Sequence, residues 1–397
     1  MRRLTFASAG ESHGRGLVAV LSGLPAGLGV DPGAVMEELR RRQRGYGRGG
    51  RMAIEADEAD FLAGVRHGRT IGSPVAILIW NRDFANWQAD MAAFLEPGQE
   101  PARPAVRRPR PGHADLAGGL KYAHRDLRDV LERASARETA ARVAVGALCK
   151  QFLAAFGVEV RSQVLAIGAV EARPADLSRG EEWSRVEASC VRCADAEAEA
   201  AMRAAVEAAG RDGDTLGGIG EVVALGVPPG LGSYVSWDER LDAALAAALM
   251  SVPSVKAVEI GDGWAVARLC GSAAHDGIVR DARRPWGLAR TSNRAGGIEG
   301  GVTNGEPVVA RVAFKPIPTL QRPLESVNLD TGAAEAAHAE RGDVCVVPAG
   351  CVVAEAMMAL VLANAMLCKF GGDCMDDTLA AYRAYLSRLE GTVGGGA

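Results

Sequence analysis

Lysine is scarce in this chain. Among 397 residues and 45 basic side chains, only Lys121, Lys150, Lys256, Lys315 and Lys369 are lysines, so forty are arginines. Neither sign of charge is in large excess: 49 acidic residues leave a formal net charge of −4, which argues against bulk attraction to nucleic acid or to an anionic membrane. No run of about 18 residues is apolar and free of charge. The closest, Cys351 to Met366, contains Glu355 and Asn364 and reads as a buried helix. The opening MRRLTFASAGESHG has no apolar core of the kind a secretory signal needs. The eight cysteines are scattered, as reduced thiols in a cytoplasm are. Cys190 and Cys193 make one CxxC, but Cys368 and Cys374 have the wrong spacing for a second pair, so no metal site is expected. No GxGxxG follows a strand, there is no Walker loop, and GESHG is not the GxSxG of a serine nucleophile elbow. A chain that is 48% hydrophobic and 24% charged is also no disordered, collagen-like or small disulfide-held protein. The arginine surplus is explained in large part by compositional bias. The remaining part calls for anions that a planar guanidinium grips bidentately.

Two long halves of the chain echo each other. VAVLSGLPAGLGV at 18–30 matches VVALGVPPGLGS at 222–233, with Pro25 against Pro228, Gly27 against Gly230 and Gly29 against Gly232. A helix is expected after each. Asp31-Pro32 reads as a cap with proline in the first turn, and Ser236-Trp237-Asp238-Glu239 reads as a capping box. Ile54-Glu55 and Val258-Glu259 adjoin corresponding strand-like stretches, and Gly72–Val75 resembles Gly305–Val308. A helix over Ser135–Phe156 resembles one over Val352–Phe370. The second half carries an insert of about thirty residues near 268–298. The pattern predicts an α+β fold of sheet-plus-helix halves, residues 1–157 and 218–370, connected by 158–217. Asp195–Arg211 within the connection reads as a surface helix.

Charge and chemistry concentrate in a few segments. Arg40, Arg41, Arg42, Arg44, Arg48 and Arg51 crowd one stretch without an intervening acid. Helix-end arginines are ordinary partners of the dipole, but Arg48 and Arg51 lie beyond the helix in glycine-rich chain that can close over an anion. Arg103, Arg107, Arg108 and Arg110 run into Pro111-Gly112-His113 in a proline-stiffened loop, where a histidine is a natural acid or base near neutral pH. Arg133 and Arg137 flank Ser135, which has capping-box spacing to Glu138. Cations at a helix start oppose the dipole, so two arginines there suggest a bound phosphate. Glycines on both sides of Glu11-Ser12-His13 let a ligand approach His13. Lys315-Pro316-Ile317-Pro318-Thr319 ends a strand, and Arg341-Gly342-Asp343 leads toward a helix. These residues alone describe an enzyme for a small, multiply anionic ligand without fixing the reaction.

Taken together the segments resemble the chorismate synthase family. GESHG at 10–14, RPGHAD at 110–115, SARETAARVAVGA at 135–147, GDTLGG at 213–218, RTSNRAGGIEGG at 290–301, GEPVVARVAFKPIPT at 305–319 and RGDVCVVPAG at 341–350 carry the resemblance in order along the chain. It implies a β-α-β sandwich, a homotetramer in the cytoplasm and the monofunctional form of the enzyme. The implied reaction is loss of phosphate from 5-enolpyruvylshikimate 3-phosphate by anti 1,4-elimination, giving chorismate. The implied cofactor is reduced FMN without net redox change, with NADPH acting only indirectly through a separate flavin reductase. By match to the family, His13 would protonate the leaving phosphate, His113 would keep the reduced flavin monoanionic, and Asp343 would relay a proton on the N5 side. Arg42, Arg48 and Arg137 would bind substrate. Arg133, Ala134, Ser135, Pro253, Ser254, Gly300, Lys315, Pro316, Ile317, Pro318, Thr319 and Arg341 would bind FMN. Two alternatives stand beside this reading: a flavin oxidoreductase that consumes pyridine nucleotide, and a polyanion-binding module built on the arginine loops, which would show steep salt dependence.

Overall fold

The computed structural model describes residues 3–49, 57–95, 97–99, 102–340, 342–390 and 392. Arg51, Ile54, Glu55 and Arg341 therefore lie outside the described residues.

Two antiparallel sheets organise the chain. The first is built from β1 (Thr5–Ala9), β2 (Gly16–Ser22), β3 (Ala59–Ala63) and β4 (Val75–Trp80) in the order β1-β2-β4-β3. The second is built from β5 (Glu159–Ile167), β6 (Gly218–Leu225), β7 (Val255–Ile260) and β8 (Val308–Phe314) in the order β7-β8-β6-β5, with a short strand at 170–171 beyond β5. Alternation sets the faces. In β2 (GLVAVLS) and β8 (VVARVAF) every second residue is buried, as expected for strands with one face on a core.

Helices cover those faces or pack beside them. Among them are α1 (Pro32–Gln43), α2 (Asp115–Tyr122), α3 (Arg128–Arg133), α4 (Thr139–Ala154), α5 (Ala196–Arg211), α6 (Leu241–Met250), α7 (Val347–Phe370) and α8 (Met375–Leu389). Helix α4 packs on β2 and β4, α7 packs on β5 and β6, and the two helices pack on each other. Their close approach depends on Gly146: a Cβ there would stand 2.3 Å from the Cβ of Ala356. By length and composition α7 could cross a membrane, but most of it is buried inside this fold. The Asp31 side chain caps α1 through the Gly33 amide, with proline in the first turn, as the sequence suggested. Helix α5 is capped by Asp195 and turns Ala198, Met202 and Val206 into the core, so its polar face alone is at the surface.

Three sequence expectations fail locally. No capping box forms at Ser236: its hydroxyl is taken by the Asp238 carboxylate, residues 237–239 make a 3-10 turn, and α6 begins only at Leu241 after an extended Arg240. Helix α4 starts at Thr139 rather than Ser135, because Ser135 caps a 3-10 turn instead while Glu138 is drawn to Ser8 and Arg142. Helix α7 starts five residues before Val352, with Pro348 in its first turn.

One cluster of buried charge lies where the helices meet the second sheet. Glu355 of α7 is fully buried and accepts from Arg41 Nη1 at 2.8 Å and Nη2 at 2.9 Å, from Arg192 Nη2 at 3.1 Å and from Ser162 Oγ at 2.5 Å; Lys150 Nζ completes the shell. Burial alone would raise the Glu355 carboxyl, but the charges of Arg41, Lys150 and Arg192 outweigh it and hold the group well below the usual carboxylate range. This cluster ties α1, α4, α7 and β5 together. Removing one member of a buried ion pair leaves the others uncompensated, at a cost of about 3–5 kcal/mol. Glu355→Gln is therefore expected to lower the urea midpoint by an amount worth roughly 3 kcal/mol or more; an unchanged midpoint would contradict this description of the core.

Candidate functional site

Residues 10–15 close the hairpin between β1 and β2. Gly10 has φ +111°, and a Cβ there would lie 2.4 Å from the Gly16 carbonyl oxygen. The turn holds His13, which is 8% exposed. Helix α3 grips it from the side: Glu132 Oε2 accepts the His13 backbone N–H at 2.8 Å, Glu132 Oε1 lies 2.8 Å from His13 Nδ1, and the Glu132 carbonyl accepts the Ser12 N–H at 2.9 Å. Trp87 stacks on the imidazole with centroids 3.7 Å apart. Sequence reasoning missed Glu132 and Trp87. Glu132 follows Asp126 and Asp129 in a stretch of alternating acids and arginines that does not single it out, and Trp87 offered no signal.

The three candidate substrate arginines converge on carboxylates. Arg42, in the last turn of α1, donates to Asp57 Oδ2 at 3.2 Å, and Arg137 donates to Asp57 Oδ1. Both arginines and the aspartate are buried. Arg48 lies 3.0 Å from Asp343 Oδ2, whose other oxygen accepts the Gly49 N–H at 2.6 Å. The loop after α1 is tied down further by the Val344 N–H, which donates to the Gly47 carbonyl at 2.7 Å. Asp57 was not foreseen, since it is one of four acids, Glu55, Asp57, Glu58 and Asp60, in a stretch that carries no motif.

The 110–115 loop forms a second histidine station. His113 Nδ1 is 2.5 Å from Asp115 Oδ1, while Arg110 donates to Asp115 Oδ2 through Nε at 2.8 Å and to Thr319 Oγ1 through Nη1 at 2.8 Å. Burial would raise the fully enclosed Asp115 carboxyl, yet the hydrogen bonds of His113 and Arg110 and their charges outweigh it and hold it well below the usual range. The 315–319 segment lies against this loop: Lys315 Nζ donates to the Gly112 carbonyl, and the Ser254 carbonyl accepts the Lys315 N–H at 2.8 Å. Burial and the nearby Lys256 charge lower the Lys315 ammonium. Thr215 Oγ1 donates to the Ile317 carbonyl at 2.8 Å, so GDTLGG joins the same cluster.

Arg133, Ala134, Ser135 and Pro253 line an open cleft of about 260 Å³ together with Glu138 and Arg142. Arg133 is held by the carbonyls of Ser8 and Gly10, at 2.9 and 3.0 Å, and Ser135 Oγ donates to Ser12 Oγ at 3.0 Å. The arginines around Ser135 thus have protein partners, which explains how they sit at a helix start against the dipole. Arg128 lies between two acids, its Nη1 3.5 Å from Glu132 Oε1 and 3.7 Å from Glu340 Oε1. Pro316 and Pro318 belong to the same segment; Pro316 is exposed, and a Cβ on Gly112 would lie 3.5 Å from the Pro318 Cβ. Gly300 is not brought in. Its neighbour Gly301 binds the Leu241 N–H at the start of α6, whereas Pro253 follows the far end of that ten-residue helix, about 15 Å away. Among the described residues no group of three or more His, Cys, Asp or Glu forms a metal cluster.

The Asp115 shift has a sign that can be checked. A carboxyl lowered on folding contributes stability that is present above its unfolded value of about 4 and is lost as pH falls through the folded value. Asp115→Asn is expected to destabilise the protein by roughly 3 kcal/mol at pH 7, with the gap to wild type narrowing as pH falls below about 4. Urea midpoints measured from pH 7 to pH 3 that run parallel for the two proteins would contradict this.

Comparison with known proteins gives one consistent answer. The family model described as chorismate synthase matches residues 4–367. The chain is 56% identical over 393 residues to chorismate synthase of Symbiobacterium thermophilum, covering 98% of this chain and 99% of the relative. It is 50% identical over 400 residues to that of Aquifex aeolicus, covering 98% and 99%. A crystal structure of chorismate synthase superposes with a TM-score of 0.78 at 41% identity, over 98% of this chain and 99% of that one. The chain belongs to the chorismate synthase family.

Proposed function

We propose that this chain catalyses the anti 1,4-elimination of phosphate from 5-enolpyruvylshikimate 3-phosphate to give chorismate. This is a carbon–oxygen lyase reaction without net redox change, the last common step of the shikimate pathway toward aromatic amino acids. The observation that carries the reading is a set of arginines and histidines each held by a carboxylate: Arg42 and Arg137 by Asp57, Arg48 by Asp343, His13 by Glu132 and His113 by Asp115. The substrate bears a phosphate and two carboxylates, and each charge-assisted bond to a guanidinium is worth about 1.5–3 kcal/mol. Arg42, Arg48 and Arg137 would supply those bonds. His13, buried beside Trp87, would pass a proton to the departing phosphate where water is excluded.

Reduced FMN fits the donor set of the neighbouring segments, where an arginine and a hydroxyl line an open cleft, Arg133 and Ser135, next to Pro253. When bound, it would supply electron density that helps break the C–O bond. Ser254 and Lys315–Thr319 would wall the cofactor's side of the site, with Arg341 and Gly300 as further contacts by family match. His113, held by Asp115 and Arg110, would face that side and hold the charge balance of the bound cofactor. Asp343 would hold or move a proton there while tethering Arg48.

The same reading extends to the whole molecule. A β-α-β sandwich of pseudo-duplicated halves is supported by the matching strand orders β3-β4-β2-β1 and β7-β8-β6-β5; the last strand, β5, comes from the connecting segment. The family match implies a homotetramer, and Tyr234, Val235 and Trp237, largely exposed beside the turn that carries Gly301, are candidates for contact between copies. A cytoplasmic location is in keeping with eight free cysteines, of which Cys149 and Cys351 are pushed up to about 12 by burial. NADPH would act only through a separate flavin reductase.

The test is anaerobic incubation with the substrate and chemically reduced FMN, without NADPH. Chorismate and phosphate should form together; folded protein that makes neither would sink the proposal. His13→Ala and His113→Ala should each lower turnover more than tenfold with the fold intact, the range of general acid–base contributions. Wild-type rates in both would remove the two histidines from the mechanism.

A further inference from the structure

A neutral imidazole carries one proton, and the partner of one ring nitrogen decides which nitrogen is left for chemistry. At His13 that partner is Glu132, and both of its oxygens are engaged with the same residue. Oε2 accepts the backbone N–H at 2.8 Å and Oε1 faces Nδ1 at 2.8 Å. The Glu132 side chain is 2% exposed, and its own backbone carbonyl holds Ser12 at 2.9 Å. A carboxylate offers only acceptors, so Nδ1 must be the donor. Trp87 lies nearly parallel to the ring, at 24° and 3.7 Å between centroids. The guanidinium of Arg103 lies 3.5 Å from the centre of the Trp87 ring. This stack opposes rotation of the imidazole, and a flipped ring would set a carbon against Oε1.

We infer that Glu132 is a positioning residue that fixes His13 as the Nδ1–H tautomer and so makes Nε2 the working nitrogen. The inference rests on the proton-donor role proposed for His13. For that step the ring takes up a second proton, on Nε2, and becomes the imidazolium; the Nε2–H bond then breaks, an O–H bond forms on the leaving phosphate, and the ring returns to the neutral Nδ1–H form. Its bond to Glu132 is the same before and after transfer, so the ring needs no rearrangement. Arg128 Nη1, 3.5 Å from Glu132 Oε1, places a positive charge beside the same oxygen that faces His13.

Glutamine at this position separates positioning from mere packing, since it has nearly the same shape but only one acceptor oxygen. If that oxygen keeps the His13 backbone N–H, the amide NH2 faces Nδ1, which must then become an acceptor, and the neutral ring carries its proton on Nε2. The experiment is solid-state 15N NMR of the full chain labelled at histidine, without ligands, with His13 identified by its loss in His13→Asn. Wild type should show the neutral ring protonated on Nδ1, and Glu132→Gln should show it protonated on Nε2. In the turnover assay Glu132→Gln should lower kcat more than tenfold with KM within about threefold, as for loss of an interaction used in the transition state. A wild-type ring protonated on Nε2 overturns the inference even if the variant fails to fold. So does a Glu132→Gln protein that keeps Nδ1–H. A switched tautomer with unchanged turnover supports the assignment of Glu132 and overturns instead the proton-donor role of His13.

Discussion

Several positive charges cannot be packed around one site without nearby counter-charge, and much of this structure follows from that constraint. Two like charges 4 Å apart repel by about 4 kcal/mol at an effective dielectric of 20. The chain meets the problem with carboxylates placed beside the arginines. Asp57 sits between Arg42 and Arg137, Asp115 between Arg110 and His113, and Asp343 beside Arg48. These acids fix the guanidinium and imidazole groups before any ligand arrives, and preorganised charge needs little rearrangement at the moment of reaction.

The same device links core to site. Arg41 and Arg42 are neighbours on α1 and point different ways: Arg41 to Glu355 in the core, Arg42 to Asp57. The buried cluster around Glu355 thus sets the position of the helix end from which Arg42 and the Arg48 loop emerge. Burying an ion cluster is seldom a net source of stability. Its placement next to a site residue gives it a second role, as a register for α1.

Much of the architecture was legible because it rests on local rules. The echo between the halves marked strand-like stretches, Asp31-Pro32 marked the start of α1, and an apolar stretch interrupted by Glu355 and Asn364 marked α7. Caps were legible only where no side chain competed: at Ser236 a carboxylate two residues away took the hydroxyl, and at Glu138 contacts from β1 and α4 displaced the expected bond. The cations and histidines of the site stood out as clusters and motifs. Their acidic partners did not, because Asp57 and Glu132 meet Arg42 and His13 only through the fold. A formal charge of −4 averages over those pairs and hides them. Gly300 shows the reverse, a residue within a matching motif that the single chain leaves at the other end of α6 from Pro253.

The central claim is that the arginines are held ready for a ligand with several anionic groups, phosphate among them. Calorimetric titration of the protein with 5-enolpyruvylshikimate 3-phosphate and with its dephosphorylated counterpart tests it most directly. Loss of two charge-assisted bonds at about 1.5–3 kcal/mol each predicts at least a hundredfold weaker binding of the dephosphorylated compound. Equal affinity for the two compounds would contradict the account.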